Sequence, residues 1–218
     1  MICGHGVTSN CREATAGTAF KNNSHQFKNA RKRRLFHFFF TTGLTTLQIN
    51  RIQIGDVLKK NGKLTDSFPV RGDDEDRTGY LSNKELCKAL TAYLEYLSNK
   101  MYRPGPHPDY YLGLDPDDAL FITDKYKPYG TCKKKTDAGN ISYSSDALNR
   151  AIKRMMTQAG IEDASILSGR RTFATELRRM GVDVATIHKM LNNKQLSTTQ
   201  KLLRSDTVNM GKILSDAF

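Results

Sequence analysis

From Ser144 onward the chain turns wholly helical. The successive segments are SSDALNRAIKRMMTQAG, GRRTFATELRRMG, DVATIHKMLN, STTQKLL and SDTVNMGKILSDAF. Gly160 and Gly181 stand where the C-caps of two of these helices belong, since glycine adopts the left-handed conformation that ends a helix at little cost. The pattern predicts a mainly helical body for this half of the molecule.

The segments before Ser144 mix helix and strand signals. A basic helix with a buried second half is predicted over residues 26–42, followed by a short helix in TTLQINRI and a turn at Gly55-Asp56. VLKKNGKL and DSFPVRGDDEDRTGYL have the pattern of strands joined by turns. Asn61-Gly62 is a hairpin signal in the first, and Asp73 to Asp76 form the tip of the second.

A longer helix is predicted next, with Ser82 and Glu85 as its capping box and its end near Asn99. The prolines of residues 103–117 predict a loop, ALFIT a short buried strand, and KYKPYGTCKKKTDAGN a basic mobile segment. The expected fold class is therefore mainly α with a small antiparallel β-sheet (α+β), the sheet lying near residues 55–81.

Charge and composition narrow the function classes. The 218 residues carry a formal charge of +12 and a sequence pI of about 9.6, which favours a polyanionic partner such as nucleic acid over a basic surface without one. No apolar run is long enough to span a membrane, and no secretory signal is recognisable. The four cysteines form no C-x-x-C pair, so we expect reduced thiols in a cytoplasmic protein.

Three blocks of the chain resemble the catalytic domain of the phage integrase family, the tyrosine recombinases. SGRRTFATELRRMGVDVATIHKMLNNKQLSTTQKLL is similar to the family's arginine-bearing block, TTGLTTLQINRIQIGDVL to its first block, and FPVRGDDEDRTGYLSNKELCKALTAYL to its lysine-bearing hairpin and the following helix. The blocks occur in the family's order over residues 26–218. The resemblance implies the tyrosine recombinase catalytic-domain fold over residues 25–218 and double-stranded DNA as the partner. Residues 1–24 are rich in Gly, Ser, Thr and Asn and have no apolar period, so we expect a loose arm there.

The resemblance also implies the chemistry that such a domain performs. In the family a tyrosine hydroxyl attacks a phosphodiester and forms a 3′-phosphotyrosine link. Two arginines hold the non-bridging oxygens, where charge develops, and a lysine on the hairpin protonates the leaving oxygen. Two histidine-type positions transfer protons or donate hydrogen bonds. No metal or cofactor takes part, and we expect none here.

Carried over position by position, the family pattern keeps one of its arginines. Arg170 matches the second arginine and is the candidate catalytic and DNA-binding residue. The first arginine falls on Thr45, and the hairpin lysine falls on or beside Asp73. The acidic tip at Asp73 to Asp76 would repel phosphates.

The remaining three positions also hold other residue types. The first histidine falls on Leu167, the later histidine or tryptophan on Asn193, and the tyrosine on Leu202. The neighbouring hydroxyls of Ser197, Thr198 and Thr199 have no obvious base in the sequence. His188 matches no catalytic position, and we expect it at the surface or half buried.

Three hypotheses about function follow. The first is a degenerate recombinase domain that binds DNA without cutting it, with Arg170 and the loop lysines Lys133, Lys134 and Lys135 as candidate phosphate contacts. The second is a domain active only in a mixed assembly that supplies the nucleophile. The third is a protein-interaction module, or a gene remnant, whose last helix SDTVNMGKILSDAF docks on a second copy in a homo-oligomer. The first predicts a DNA-associated cytoplasmic protein.

Overall fold

The computed structural model describes residues 30–71, 77–100, 102–135, 139, 141–161 and 164–204. The helices are α1 (Ala30–Thr41), α2 (Thr46–Asn50), α3 (Ile54–Val57), α4 (Lys84–Asn99), α5 (Asp146–Gln158), α6 (Ser168–Arg179), α7 (Val184–Leu191) and α8 (Leu196–Arg204). The strands are β1 (Ser67–Val70), β2 (Arg77–Tyr80), β3 (Cys132–Lys135) and β4 (Ile141–Ser144). The strands form two separate antiparallel hairpins, so the predicted fold class is confirmed with one sheet more than expected.

Helix α1 is a central element of the larger apolar core. Its second half buries Phe36, Phe38 and Phe39 almost completely, as the sequence predicts. The ring of Phe38 contacts Phe68 of β1 and Phe121, with ring centroids 5.9 and 5.1 Å apart. The helix also packs against α4, α5 and α6. Its phenylalanine side chains therefore connect the first hairpin to the other helices.

The first hairpin confirms the strand prediction for DSFPVRGDDEDRTGYL. Strand β1 pairs with β2 so that Ser67 lies opposite Tyr80. Phe68 and Val70 face the core and alternate with exposed residues, as the period of two in a strand requires. The predicted acidic tip, Asp73 to Asp76, lies outside the described residues.

The prediction of strands in VLKKNGKL is wrong. Helix α3 ends at Val57, the first residue of this segment, and the carboxylate of Asp56 caps its first turn by accepting a hydrogen bond from the backbone N–H of Gln53 (2.8 Å). Leu58 and Leu64 pair only through an isolated bridge around the turn at Gly62. The segment ALFIT likewise makes isolated bridges and no regular strand.

Helix α4 starts one residue later than the capping box predicts. Asn83 is the N-cap, and its Oδ1 accepts a hydrogen bond from the N–H of Leu86 (2.9 Å). Serine and asparagine cap helices about equally well, so adjacent candidates cannot be ranked from sequence. The predicted end of the helix at Asn99 is confirmed.

Strand β3 of the second hairpin lies within the segment predicted to be mobile, and β4 follows that segment. Cys132 lies opposite Ser144, and Lys135 lies opposite Ile141. Nearly every residue of both strands is exposed, so no apolar alternation marks the strands in the sequence. The base of the hairpin is fixed by Asn50 of α2, whose Nδ2 donates to the carbonyl of Tyr129 and to Thr131 Oγ1 (3.1 and 3.2 Å).

Helices α6, α7 and α8 form a second, smaller apolar cluster. Its buried members are Ala174, Ile187, Leu191, Leu202 and Leu203. Gly160 and Gly181 follow α5 and α6 with φ of 68° and 84°, which confirms both predicted C-caps. Residues 1–24 and 205–218, including the predicted terminal helix, lie outside the described residues. None of the described helices has the length and apolarity needed to cross a membrane.

Candidate nucleic-acid interface

Arg170 lies in the first turn of α6 and is buried, with 5% of its surface exposed. One terminal nitrogen donates to the carbonyl of Gly43 (3.0 Å). The other donates to the carbonyl of Leu191 (2.9 Å) and to Oδ1 of Asn193 (2.6 Å). Burial lowers the pKa of Arg170 to about 10, so the guanidinium is still cationic at neutral pH. The side chain therefore joins the loop after α1 to the end of α7.

Close helix packing brings Arg170 to the loop after α1. Gly169 lies against the carbonyl of Phe39, where a Cβ atom would clash with backbone. Gly43 adopts a φ of +64°, and the ring of Phe173 occupies the space that its Cβ atom would need. Glycine at both positions lets α6 approach α1 closely enough for the guanidinium to reach the Gly43 carbonyl.

A hydrogen-bonded chain continues from Arg170 to helix α8. Asn193 Nδ2 donates to Thr199 Oγ1 (2.9 Å), and Thr199 Oγ1 lies 3.0 Å from His188 Nδ1. Thr199 therefore has a basic partner that the sequence did not reveal. Because Thr199 is fully buried, its hydroxyl is inaccessible to a DNA strand, and the chain links α7 to α8 structurally. His188 is half buried, as expected.

Arg77, the first residue of β2, is a site residue that sequence reasoning missed. Its terminal nitrogen donates to the carbonyl of Leu191 (3.1 Å), the same oxygen that Arg170 uses. Burial, and secondarily the positive charge of Arg170, lower the pKa of Arg77 to about 10. The sequence offered one indication of its role: Arg77 is the first basic residue after the acidic tip, within the block that resembles the family's lysine-bearing hairpin.

The two guanidiniums give this site an excess of positive charge. Within the described part of the chain, neither Arg77 nor Arg170 forms an ion pair, and their acceptors are carbonyl and amide oxygens. Two like charges removed from water are costly without a counter-charge. A guanidinium has further N–H donors to offer, so the pair is suited to an anion with several oxygens.

Thr45, in the position of the first family arginine, begins helix α2. Its Oγ1 accepts a hydrogen bond from the N–H of Gln48 (3.2 Å), and Gln48 Oε1 accepts one from the N–H of Thr45 (2.9 Å). This reciprocal capping box uses the side chain for local structure. The residue lies two positions after Gly43, whose carbonyl contacts Arg170.

Leu167 and Leu202, which stand in two further family positions, differ in burial. Leu167 precedes α6 and is 49% exposed. Leu202 lies on α8 and is 7% exposed, packed in the second apolar cluster with Ile187 and Leu191. Of the six carried-over positions, the structure thus brings Arg170 and Asn193 into direct contact. Asp73 falls outside the described residues.

The three candidate lysines lie on strand β3 and are exposed. Lys134 forms an ion pair with Asp146 at the start of α5, Nζ to Oδ2 3.0 Å. This contact, and a hydrogen bond from Ser144, lower the pKa of the Asp146 carboxyl. Lys133 and Lys135 form no ion pair with any residue that the structure describes. On this strand Lys134 is therefore ion-paired, whereas Lys133 and Lys135 form no ion pair among the described residues.

A comparison with family models decides the classification. The model described as the phage integrase family matches residues 14–207. The chain belongs to the phage integrase family. The resemblance drawn from the three sequence blocks is thereby confirmed. No curated protein matches the chain in sequence.

Solved structures of recombinases share the integrase-family fold seen here. The crystal structure of XerA recombinase has a TM-score of 0.65 at 20% identity, over 97% of this chain and 64% of that chain. XerH site-specific recombinase bound to a palindromic difH substrate, in a post-cleavage complex, has a TM-score of 0.60 at 19% identity, over 90% and 49%. The chain therefore spans less than two thirds of either protein, and at these identities the likeness shows the fold alone.

Proposed function

We propose that this integrase-family domain binds duplex DNA through its phosphate backbone and does not cut it. The observation that carries the proposal is the convergence of Arg77 and Arg170 on the carbonyl of Leu191. Arg77 is half buried and is the more accessible of the two arginines, since Arg170 is only 5% exposed. A phosphodiester at Arg77 would supply the negative charge and the acceptor oxygens that the pair lacks among the described residues. The formal charge of +12 supports the same partner and a DNA-associated place in the cytoplasm.

The residues at the other family positions support the absence of cleavage. Leu202 has no group that can attack phosphorus, and Thr45 has no cationic group to stabilise a developing oxyanion. Losing one such donor typically costs about 10²–10³ in rate, and the losses are not additive when the groups act as a unit. The buried Thr199 does not replace the nucleophile, because DNA cannot reach its hydroxyl.

The test is binding of a labelled random-sequence duplex, followed by fluorescence anisotropy across a salt series. Arg77→Gln is the informative variant, because removing Arg170 would leave the Gly43 carbonyl and Asn193 Oδ1 without their donor. Each neutralised phosphate contributes about −0.9 to the log–log salt slope, so Arg77→Gln should weaken binding and make the slope shallower by about one. Arg178→Gln, an exposed arginine about 12 Å further along α6, is the charge-matched control and should change little.

Two results would overturn the proposal. The first is a parent protein that does not bind duplex at low salt, which would favour the protein-interaction hypothesis. The second is an equal effect of Arg77→Gln and Arg178→Gln, which would show that the buried pair has no special role. Homo-oligomerisation through residues 205–218 remains a separate proposal, testable by light scattering before and after truncation at residue 204.

A further inference from the structure

We propose that one face of the β3–β4 hairpin is a second DNA contact, which lies along the phosphate backbone. The inference rests on the proposed DNA binding and names the surface that extends it. Antiparallel pairing places cross-strand partners on the same face of a ribbon, with alternate residues on opposite faces. Lys133 pairs with Tyr143 and Lys135 pairs with Ile141, so these four residues share one face, here called the outer face.

The opposite face is already engaged within the protein. Lys134 and Ser142 lie there as a cross-strand pair, beside Cys132 and Ser144. The Lys134 ammonium is held by Asp146, and Ser144 Oγ donates to the same carboxylate (2.9 Å). These contacts hold this inner face of the hairpin on the start of α5.

The outer face combines exposed cations with exposed apolar surface. Ile141 is 54% exposed and Tyr143 is 43% exposed. Arg51 lies over the ring of Tyr143 with its guanidinium carbon 5.8 Å from the centroid. A surface of this kind suits a duplex, whose phosphates attract the cations and whose sugars and base edges offer apolar contact.

Spacing and position also fit a duplex. Lys133 and Lys135 are two residues apart, or about 6.8 Å along the strand, while phosphates recur about every 3.4 Å of helix axis on each DNA strand. The two ammonium groups can therefore reach separate phosphates. Asn50 fixes the base of the hairpin to α2, a helix of five residues and about 7.5 Å that begins at Thr45. Helix α2 thus connects the base of the hairpin to the loop that contacts Arg170.

The experiment compares three single variants that each remove one charge from the same strand. Lys133→Gln and Lys135→Gln alter the outer face. Lys134→Gln alters the opposite, inner face, where Asp146 pairs with the lysine. With the labelled duplex and salt series, each outer variant should make the log–log slope shallower by about 0.9, and the double outer variant by about 1.8. Lys134→Gln should leave the slope within error of the parent, because its charge is already paired.

A second readout does not depend on charge. The chain contains no tryptophan, so Tyr143→Trp creates a single fluorescent reporter on the outer face. Saturating duplex should shift or quench its emission at low salt. The inference is overturned if the parent binds DNA with a clear salt slope and the three lysine variants behave alike, or if the reporter does not respond. A parent that does not bind at all defeats the proposed function itself.

Discussion

Replacing Arg77 with glutamine should stabilise the free protein while weakening its binding to DNA. Burial lowers the pKa of Arg77 to about 10, and this drop corresponds to a penalty on the charged form of about 3 kcal/mol, at about 1.4 kcal/mol per tenfold change in the ionisation constant. Glutamine avoids this penalty and loses one hydrogen bond to Leu191, worth about 1 kcal/mol. The expected net effect is a gain of about 1–2 kcal/mol in the free energy of unfolding.

The sign of the effect depends on pH. Because the pKa of Arg77 is lower in the folded state than in the unfolded state, the penalty is present in full below about pH 10 and is relieved as the pH rises above it. Urea unfolding at pH 7, without phosphate or sulfate, should therefore give Arg77→Gln a higher midpoint at an unchanged slope. In thermal unfolding the gain is about 2–4 °C per kcal/mol. Arg178→Gln should stay within about 0.5 kcal/mol of the parent.

Inorganic phosphate provides the complementary measurement. It should raise the midpoint of the parent more than that of Arg77→Gln, since a ligand that binds only the folded state stabilises it. A loss of stability of 1 kcal/mol or more in Arg77→Gln would refute the reasoning. It would mean that an acidic side chain already balances the positive charge of Arg77, and residues 73–76 would be the first candidates to test.

Three further predictions concern other parts of the domain. Leu202→Tyr should overpack the second cluster and destabilise the protein by about 1–3 kcal/mol in urea, without producing a covalent DNA complex; formation of that complex would contradict the account. Asp73→Lys combined with Asp76→Lys should tighten duplex binding and steepen the salt slope, and unchanged binding would show that this hairpin does not approach DNA. Burial lowers the pKa of His37, so stability should fall as the pH falls below about 6.5; His37→Gln should reduce that fall between pH 7.5 and 5, and an unaltered pH profile would exclude this cause.

The sequence predicted those elements whose apolar residues recur at a regular period. The buried half of α1 and the alternating strand β1 have such a pattern, and glycines mark the ends of α5 and α6. The β3–β4 hairpin has exposed residues on both faces, so no periodicity distinguishes it from a basic loop. Its strands are defined by pairing between segments, which a single sequence does not display.

The site was predictable only in part for a similar reason. Arg170 lies in a recognisable motif, but its acceptors belong to the loop at Gly43 and to the end of α7. Arg77 joins it from the first hairpin, a partner that only the packed structure reveals. The difference between Lys134 and its two neighbours likewise depends on strand register, which places alternate residues on opposite faces.

The central claim is that this integrase-family domain binds DNA backbone and does not break it. The direct measurement uses end-labelled, nicked suicide duplexes with randomised arms, resolved first on a native gel and then on a denaturing gel after incubation with the protein. The account predicts a retarded, salt-sensitive band on the native gel and no label attached to protein on the denaturing gel. Label that stays covalently attached to protein after denaturation would contradict it.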